Sequence, residues 1–333
     1  MTTRREGATT RWGIAGTGWI SRTTMNDLRL TENVEVVAVS SRQQETADAF
    51  AAEEGIERAY GDYSRMLEDA DLDIIYIGTP HGSHFPMAVA AIEAGKHVLA
   101  EKPIGVDAAQ ARELAALAKD RGVFLMEAMW MKFNPMIRTL QKTIAEGVIG
   151  EVRWIQGAFG FGVPYDPDNR FWDPEQGGGA LLDVGIYPIT LAQLFMGVPE
   201  RISAEGTINP DGVDKRVLVN LTGNEIQAQL ATSIEHMLTP RTTISGTAGF
   251  IDIDMPFWVS GGFTVWPEGV RPGGPEPYEV REPIEGIGYV PMFRATSQAV
   301  LDGLTECEIH PLSATIEVLD TIDEVRRQLM VQR

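Results

Sequence analysis

The stretch Trp12-Gly13-Ile14-Ala15-Gly16-Thr17-Gly18-Trp19-Ile20-Ser21 decides how the rest of the chain is interpreted. Its first residues are typical of a short buried strand, and the segment behind the glycines is typical of a helix start. Gly16-x-Gly18-x-x-Ser21 fits the dinucleotide fingerprint, with serine as the small third residue. Gly16 permits the tight turn, and Gly18 lets the backbone approach a pyrophosphate that the helix amino terminus attracts. The pattern predicts a nucleotide site; a purely structural glycine turn is the alternative.

Short apolar runs alternate with helical stretches from Arg11 to Glu127. The predicted strands are Trp12–Ala15, Val34–Ser40, Ile74–Gly78, His97–Ala100 and Val123–Met126. The helical stretches include Ala47–Glu54, Pro86–Ala94 and Ala108–Asp120. This alternation predicts an α/β domain over residues 11–132, a doubly wound parallel sheet covered on both faces. Residues 1–10 are polar and predict a disordered lead-in.

The pattern changes after Phe133 and predicts a second domain over residues 133–333. Its strand-like segments are Val152–Phe161, Val217–Leu221, Ile226–Ile234, Thr242–Gly246 and Gly249–Ile253. Helices are predicted over Met136–Glu146, Ala180–Met196, Phe293–Leu304 and Leu312–Gln332, with a long loop over Trp266–Pro277. The second domain is therefore expected to be α+β with an open, mainly antiparallel sheet.

Composition narrows the possible partners. The net charge of −19 argues against a nucleic acid or an anionic membrane as partner, since both attract a basic surface. No run of apolar residues approaches the roughly 18 residues of a membrane span, and no such span is expected. Cys307 is the single cysteine, so no disulfide framework or thiolate metal cluster is expected. His81-x-x-His84 has no further histidine or cysteine nearby, and no metal site is predicted. The expected location is the cytoplasm.

The end of the second predicted strand favours NADP over NAD. A carboxylate that binds the ribose 2′-hydroxyl is expected about 20 residues after the fingerprint. The chain instead reads Val39-Ser40-Ser41-Arg42, and no carboxylate follows before Glu45. Hydroxyls and a guanidinium suit a 2′-phosphate. An ordinary polar helix start is the alternative interpretation of Ser41 and Arg42.

Lys102 is the strongest candidate for a catalytic group. It follows the apolar strand His97–Ala100 in the sequence Glu101-Lys102-Pro103. Open α/β sheets bind their ligands at the carboxyl ends of their strands. The adjacent proline restricts the backbone and ends the regular ladder.

Four motifs together point to a family: Gly16-x-Gly18, Gly78-Thr79-Pro80, Glu101-Lys102-Pro103 and the block Gly177–Tyr187. The chain resembles the glucose-fructose oxidoreductase/inositol dehydrogenase (Gfo/Idh/MocA-like) family over about residues 11–330. Within it, the branch of dimeric dihydrodiol dehydrogenases and NADP-dependent D-xylose dehydrogenases looks most similar. The resemblance implies an N-terminal Rossmann domain, an open antiparallel sheet in the C-terminal domain, and a homodimer or dimer of dimers formed through that sheet.

The resemblance also implies residue roles. Lys102 matches the catalytic lysine, Tyr187 the general acid/base and Asp183 an aspartate that positions substrate. The loop Thr79–His84 would carry nicotinamide-ribose contacts, although His81 stands where many relatives have asparagine. The predicted cofactor-binding residues are Gly16, Gly18, Trp19, Ile20, Ser41, Arg42, Thr79, Pro80, His84, Glu101 and Lys102.

The chemistry of a hydride transfer fits these residues. Asp183 and Tyr187 are four apart on a predicted helix and should share one face, while Pro188 should kink that helix. A free tyrosine titrates near pH 10, and a nearby ammonium such as that of Lys102 would favour its phenolate. We therefore expect oxidation to be faster at alkaline pH.

Aromatic residues and one arginine are candidates for the substrate pocket, because aromatic faces suit sugar rings and arenes. They are Trp130, Phe159, Arg170, Trp172 and, beyond these, Trp258. The sequence predicts an NADP-dependent dehydrogenase acting on a hydroxyl of a carbohydrate, polyol or trans-dihydrodiol. A reductase of a sugar-derived ketone, anhydrofructose- or inosose-like, is an alternative. A non-catalytic NADP-binding regulator is a second alternative, of a different class.

Overall fold

The structure, a computed structural model, describes residues 9–271 and 273–331. They form two compact units. One runs to Phe133 and also contains Glu285–Thr315; the other comprises Asn134–Ile284 and the residues from Ile316 onward. The predicted lead-in falls mainly on residues 1–8, which lie outside the described residues, whereas Thr10 already belongs to the first strand.

Strands and helices alternate in the first part of the chain and strands dominate the second. The strands are β1 (Thr10–Ala15), β2 (Val34–Ser40), β3 (Arg58–Tyr60), β4 (Ile74–Ile77), β5 (His97–Glu101), β6 (Leu125–Ala128), β7 (Val152–Gly160), β8 (Arg201–Ile208), β9 (Asp214–Gly223), β10 (Ile226–Ser233), β11 (Thr242–Gly246), β12 (Gly249–Ile253), β13 (Gly262–Pro267) and β14 (Tyr278–Arg281). The α-helices are α1 (Trp19–Leu30), α2 (Gln44–Glu54), α3 (Tyr63–Leu67), α4 (His84–Glu93), α5 (Ala108–Arg121), α6 (Pro135–Ala145), α7 (Ile186–Met196), α8 (Val290–Leu301) and α9 (Leu312–Val331).

The first unit contains a six-stranded parallel sheet in the order β3-β2-β1-β4-β5-β6. This confirms the predicted doubly wound sheet. β4 is a run of four fully buried residues, as expected for a central parallel strand with both faces covered. The direction of winding reverses between β1 and β4, and such a reversal leaves a crevice at the carboxyl ends of the strands. β3 and α3 were not predicted, because each is too short to show a period.

The segment Glu285–Thr315 packs with the first unit, although it falls within the predicted second domain of residues 133–333. Phe293 of α8 makes edge-to-face contacts with Trp12 and Tyr76, at ring-centroid distances of 5.7 and 5.6 Å. The buried Asp27 carboxylate accepts the backbone N–H groups of Ile287 and Tyr289. The Asp27–Ile287 contact joins residues 260 positions apart. Local periodicity cannot predict such a contact, because it reports only on residues close in sequence.

The second unit contains an eight-stranded mixed sheet in the order β14-β13-β12-β11-β7-β10-β9-β8. Its pairs are antiparallel except for β7 and β10, which run parallel. The predicted open, mainly antiparallel sheet is therefore confirmed. Buried and exposed residues alternate along β9 and β10, so one face is apolar and packs inward. β8, β13 and β14 were missed as strands.

The predicted helix Ala180–Met196 has two parts. A π-helical segment, Leu181–Gly185, leads into α7. Pro188 lies just after the π-helical segment in a helical run that continues from residue 180 to residue 196, so its missing N–H removes one bond of that run. Segment 174–196 is also long and apolar enough to cross a membrane, contrary to the expectation that no segment is, but 83% of its apolar window is buried inside the protein. That burial is typical of a core helix in a globular protein.

Candidate functional site

The glycine loop after β1 forms a backbone cradle at the carboxyl edge of the parallel sheet. Gly16 has a φ of +103°, and a Cβ there would lie 2.9 Å from the Gly78 carbonyl oxygen. Gly18 precedes α1 and is exposed, with space above it that a side chain would occupy. Ser21 is fully buried against Gly78. A Cβ added at Gly78 would lie 2.6 Å from the Ser21 hydroxyl oxygen, so only glycine fits there. The exposed N–H groups at this helix start fit a dinucleotide pyrophosphate.

Ser41 and Arg42 follow β2 beside this cradle. The Ser41 N–H donates to the Tyr60 carbonyl, and the Thr17 hydroxyl donates to the Ser41 hydroxyl at 3.5 Å. Arg42 is exposed, so its guanidinium is accessible to an anionic ligand. Trp19, the first residue of α1, is 76% exposed, and Ile20 behind it is half-buried.

His84 joins the loop after β4 to the segment after β5. Its ring is fully buried, with Nδ1 2.7 Å from the Pro103 carbonyl oxygen and Nε2 2.7 Å from the Thr79 carbonyl oxygen. Burial lowers the pKa of His84, against the opposite influence of the two carbonyls. Both ring nitrogens are thus engaged by backbone, and any contribution of His84 to cofactor binding is made through the loops that it joins. Pro80 is exposed and Thr79 is half-buried.

Glu101 and Lys102 lie at the carboxyl end of β5. The Tyr76 hydroxyl donates to Glu101 Oε1 at 2.7 Å, and the Lys102 backbone N–H donates to Glu101 Oε2 at 3.3 Å. Burial raises the pKa of Glu101 to about 7, while the Tyr76 hydrogen bond and the Lys102 charge act in the opposite direction. The Lys102 side chain is half-buried, and the Lys102–Pro103 peptide bond is cis.

A buried polar network, which no sequence motif predicted, supports the same segment. Glu127 on β6 accepts the Ile104 backbone N–H at 3.1 Å, and its other oxygen is 2.9 Å from His310 Nε2. The Lys132 ammonium lies 3.2 Å from His310 Nδ1. Because an ammonium can only donate, the neutral ring accepts at Nδ1 and donates from Nε2 to Glu127. Burial raises the pKa of Glu127, but the hydrogen bonds from His310, Ile104 and Thr315 outweigh it and hold that pKa below its usual range.

The second unit contributes Asp183 and Tyr187. Asp183 lies in the π-helical segment and Tyr187 in the first turn of α7, and they are 8% and 6% exposed. Arg170 Nη1 lies 3.1 Å from Asp183 Oδ1, and the guanidinium stacks over the Phe171 ring at 3.9 Å. The carboxylate therefore has a fixed cationic partner.

Aromatic rings surround Tyr187 within the second unit. Phe159 and Trp258 stack with their ring centroids 3.6 Å apart, and the two rings lie 5.8 and 6.1 Å from the Tyr187 ring. Phe159 and Trp258 are both half-buried. The pair gives the tyrosine an apolar, flat-faced neighbourhood.

Two other pocket candidates, Trp172 and Trp130, pack against buried apolar or aromatic neighbours. Trp172 is 4% exposed, belongs to a core cluster with Val184 and Ile234, and donates its indole N–H to the Pro164 carbonyl. Trp130 lies in the first unit and stacks on Tyr289 with 4.6 Å between ring centroids. Within the second unit, Phe159 and Trp258 lie beside Tyr187 and Arg170 pairs with Asp183, while Phe159 also packs against the core cluster that contains Trp172.

The described residues contain no group of three or more His, Cys, Asp or Glu side chains arranged to hold a metal ion. His81 is 6% exposed, and its ring lies 5.7 Å from that of His84 in a tilted arrangement.

Comparison with known proteins places this geometry in context. Residues 10–129 match the family model described as oxidoreductase family, NAD-binding Rossmann fold (GFO_IDH_MocA), and residues 137–252 match the GFO/IDH/MocA C-terminal domain. Trans-1,2-dihydrobenzene-1,2-diol dehydrogenase of Sus scrofa is 35% identical over 332 residues, covering 96% of this chain and 97% of that protein.

Two solved structures have a similar fold. KijD10, a 3-ketoreductase from Actinomadura kijaniata in complex with NADP and TDP-benzene, has a TM-score of 0.85 at 30% identity, covering 96% of this chain and 98% of its own. The aldose-aldose oxidoreductase of Caulobacter crescentus has a TM-score of 0.86 at 24% identity and covers 98% of both chains.

Proposed function

The chain belongs to the Gfo/Idh/MocA family of NAD(P)-binding oxidoreductases, as its motifs predicted, and from this premise we propose its reaction. It transfers a hydride between NADP and a secondary or anomeric hydroxyl of a sugar, polyol or trans-dihydrodiol. The observation that carries this proposal is the pairing of Asp183 with Arg170 beside Tyr187, in a neighbourhood of stacked aromatic rings.

NADP is favoured over NAD by the residues after β2. Ser41 and the exposed Arg42 offer a hydroxyl and a guanidinium where NAD-binding domains carry a ribose-binding carboxylate. The guanidinium matches the geometry of a phosphate, since it can donate two parallel hydrogen bonds. The NADP complex of the similar KijD10 supports the same preference. The remaining predicted cofactor contacts, at the glycine loop and after β4 and β5, are retained in this proposal.

Lys102 and Tyr187 act on one substrate oxygen in this proposal. During oxidation the Tyr187 oxygen takes the hydroxyl proton, and the Lys102 ammonium donates a hydrogen bond that stabilises the developing alkoxide. Asp183, oriented by Arg170, accepts a hydrogen bond from a neighbouring substrate hydroxyl. Bound NADP would supply the redox chemistry, as the acceptor of the hydride from the carbon that bears the reacting oxygen. Reduction follows the same steps in reverse, with Tyr187 returning the proton.

The aromatic rings favour a substrate with one flat apolar face and polar edges. Phe159 and Trp258 can contact a ring face, while Asp183 can receive a hydroxyl hydrogen. A trans-dihydrodiol or a pyranose has both features. The full-length similarity to dihydrodiol dehydrogenases supports the diol, whereas the similarity to a 3-ketoreductase supports reduction of a sugar-derived ketone as the second candidate.

A turnover screen tests the reaction. Purified protein is assayed with NADP and NAD against aldoses, inositols and trans-dihydrodiols, and in reverse with NADPH and sugar ketones. We expect oxidation with NADP that accelerates towards alkaline pH. The comparison of substrates distinguishes the dehydrogenase from the ketone reductase.

Substitution of the acid/base group separates an enzyme from a non-catalytic regulator. Tyr187→Phe should keep NADPH affinity and lower kcat by about 100-fold or more, as loss of general acid–base catalysis does. Tyr165→Phe is the matched control, because Tyr165 is 62% exposed in the same unit and its ring is preserved. Equal turnover of Tyr187→Phe and wild type would exclude the proposed role.

We propose further that the protein acts in the cytoplasm and pairs through the outer face of its eight-stranded sheet. Exposed uncharged side chains line that face on β7, β9 and β10, namely Trp154, Gln156, Leu218, Asn220, Gln227 and Gln229. Light scattering should give a dimer or a dimer of dimers for the wild type and a smaller species for Leu218→Arg. Leu304→Arg, at a residue 47% exposed in the first unit, should leave the mass unchanged. A monomeric wild type would contradict this pairing.

A further inference from the structure

The segment that carries Asp183 and Tyr187 begins at a carboxylate from a distant strand. Asp214, the first residue of β9, is 3% exposed, and its Oδ2 accepts the Leu181 backbone N–H at 2.7 Å. The Ala180 N–H also reaches this carboxylate. Asp214 therefore caps N–H groups at the start of the segment, which have no partner within the helix.

Glycines make this contact possible. Gly179 has a φ of +119°, and a Cβ at this position would lie too close to Asp214 Oδ1 for any side chain to fit. The Gly179 N–H donates to the Phe171 carbonyl at 3.1 Å, and the Gly178 N–H donates to the Asp173 carbonyl at 2.9 Å. The same turn thus binds Asp214 on one side and the residues following Arg170 on the other.

The turn consequently links three functional groups within one unit. It fixes the start of the segment with Asp183 and Tyr187, and it fixes the backbone next to Arg170, the partner of Asp183. The Thr232 hydroxyl adds a bond to the Ala180 carbonyl at 3.2 Å. A change at Asp214 would therefore reach both members of the Arg170–Asp183 pair.

The cap is an unfavourable group for stability alone. Burial raises the pKa of Asp214 to about 6, although Arg326, with its Nε 4.0 Å away, and the backbone N–H groups of Leu181 and Ala180 act against it. Desolvation of an ionised group is costly, and uncharged replacements of similar shape are often tolerated. A charged cap at this position is more easily understood if it serves geometry than if it serves stability.

We propose that Asp214 is a positioning residue for catalysis, which sets the placement of Asp183 and Tyr187 through the Gly178–Leu181 turn. The inference rests on the proposed function, since it assigns Asp214 a role in that same reaction. It acts on the chemical step rather than on cofactor binding, because the glycine loop and the strand ends that would hold the cofactor belong to the other unit.

Asp214→Asn tests the inference, because asparagine keeps the shape and one acceptor oxygen but removes the charge and the second acceptor. We expect kcat to fall by about 10- to 100-fold, the scale of a small misplacement of reacting groups. The NADPH dissociation constant should remain close to the wild-type value, and kcat is expressed per folded protein because one buried N–H loses its acceptor in this variant. Asp211→Asn, the same change at an exposed residue in the preceding turn, is the matched control.

A kcat per folded protein equal to that of Asp211→Asn overturns the inference. If Asp214→Asn does not fold, Arg326→Gln keeps the carboxylate and removes its cation. A lower kcat with unchanged NADPH affinity in that variant supports the inference, and a wild-type kcat overturns it.

Failure of the proposed function is distinguishable from failure of this inference. If wild-type protein turns over no diol, polyol, aldose or sugar ketone, the proposed function fails. Amide hydrogen exchange over residues 178–187 then decides the cap by itself. Faster exchange in Asp214→Asn but not in Asp211→Asn supports the positioning role, and equal exchange overturns it.

Discussion

Replacement of Glu101 by glutamine should change how the stability of the protein depends on pH. Glu101 is 4% exposed at the end of β5, and burial raises its pKa from 4.5 to about 7. The Tyr76 hydroxyl donates to Glu101 Oε1 at 2.7 Å, and a glutamine oxygen can accept the same bond. Glu101→Gln therefore removes the titration while it keeps the main hydrogen bond.

The direction in which stability changes with pH depends on whether the folded or the unfolded state keeps the Glu101 proton. Below about pH 4.5 the Glu101 carboxyl is protonated in the folded and unfolded states, and it does not make the free energy of unfolding depend on pH. Between 4.5 and about 7 the folded protein keeps a proton that the unfolded chain has released, so stability falls as pH rises. Above about pH 7 the folded protein has also released this proton, and the stability lost through Glu101 increases no further. With about 1.4 kcal/mol per pKa unit, the full loss is about 3 kcal/mol.

The assay is denaturant unfolding of both proteins at two pH values. Between about pH 5.5 and about pH 8, the free energy of unfolding of Glu101→Gln should rise relative to wild type by about 2 kcal/mol. Groups that titrate identically in both proteins cancel in this double difference. Glu113→Gln, at an exposed glutamate on α5, should give no such difference. Parallel pH dependences for wild type and Glu101→Gln would refute the reasoning.

Three further substitutions probe the site. Arg42→Ala should raise the KM for NADP about tenfold or more, as loss of a charge-assisted phosphate bond does, with little change for NAD; an unchanged NADP value would remove the assignment of Arg42. Gly179→Ala should lower the free energy of unfolding by more than the 1–2 kcal/mol of a left-handed residue, because its Cβ meets Asp214, whereas Gly122→Ala, with φ +66° and open space, should show roughly the backbone cost alone. A similar loss in both would contradict the contact. Glu127→Gln should destabilise by about 1–3 kcal/mol, since the His310 and Ile104 donors compete for the one remaining acceptor; urea unfolding at neutral pH measures this, and wild-type stability would argue against the network.

Much of the fold is predictable from local pattern. The strands that form the parallel sheet, apart from the three-residue β3, show as apolar runs, because a strand covered on both faces has no polar side to confuse the pattern. Gly16 in the fingerprint is also determined locally, because its φ of +103° suits glycine. Short or polar strands such as β8 and β14 are not predicted, because they form through pairing with neighbouring strands rather than through their own residue pattern.

The candidate site was predicted unevenly. Lys102 was named from its position at a strand end, and the roles of Lys102, Asp183 and Tyr187 were implied by the family resemblance. The structure adds the hydrogen bond of Arg170 to Asp183. Trp172, a pocket candidate by residue type, is 4% exposed and belongs to a core cluster against which Phe159 also packs. Residue type alone cannot tell a pocket tryptophan from a core tryptophan, because both are large, apolar and buried.

The sequence by itself determined the class of sheet, the nucleotide-binding loop and the residues to test, because each depends on periodicity or on backbone freedom within a few residues. The tertiary structure alone decided which buried charges support them. Asp214 meets Leu181 across 33 positions, and Glu127 meets His310 across 183. No sequence pattern near Asp214 or Glu127 indicates which distant residue the carboxylate will contact. Only the folded chain brings donor and acceptor within hydrogen-bonding distance in a place that excludes water, and there a single charge can fix a turn.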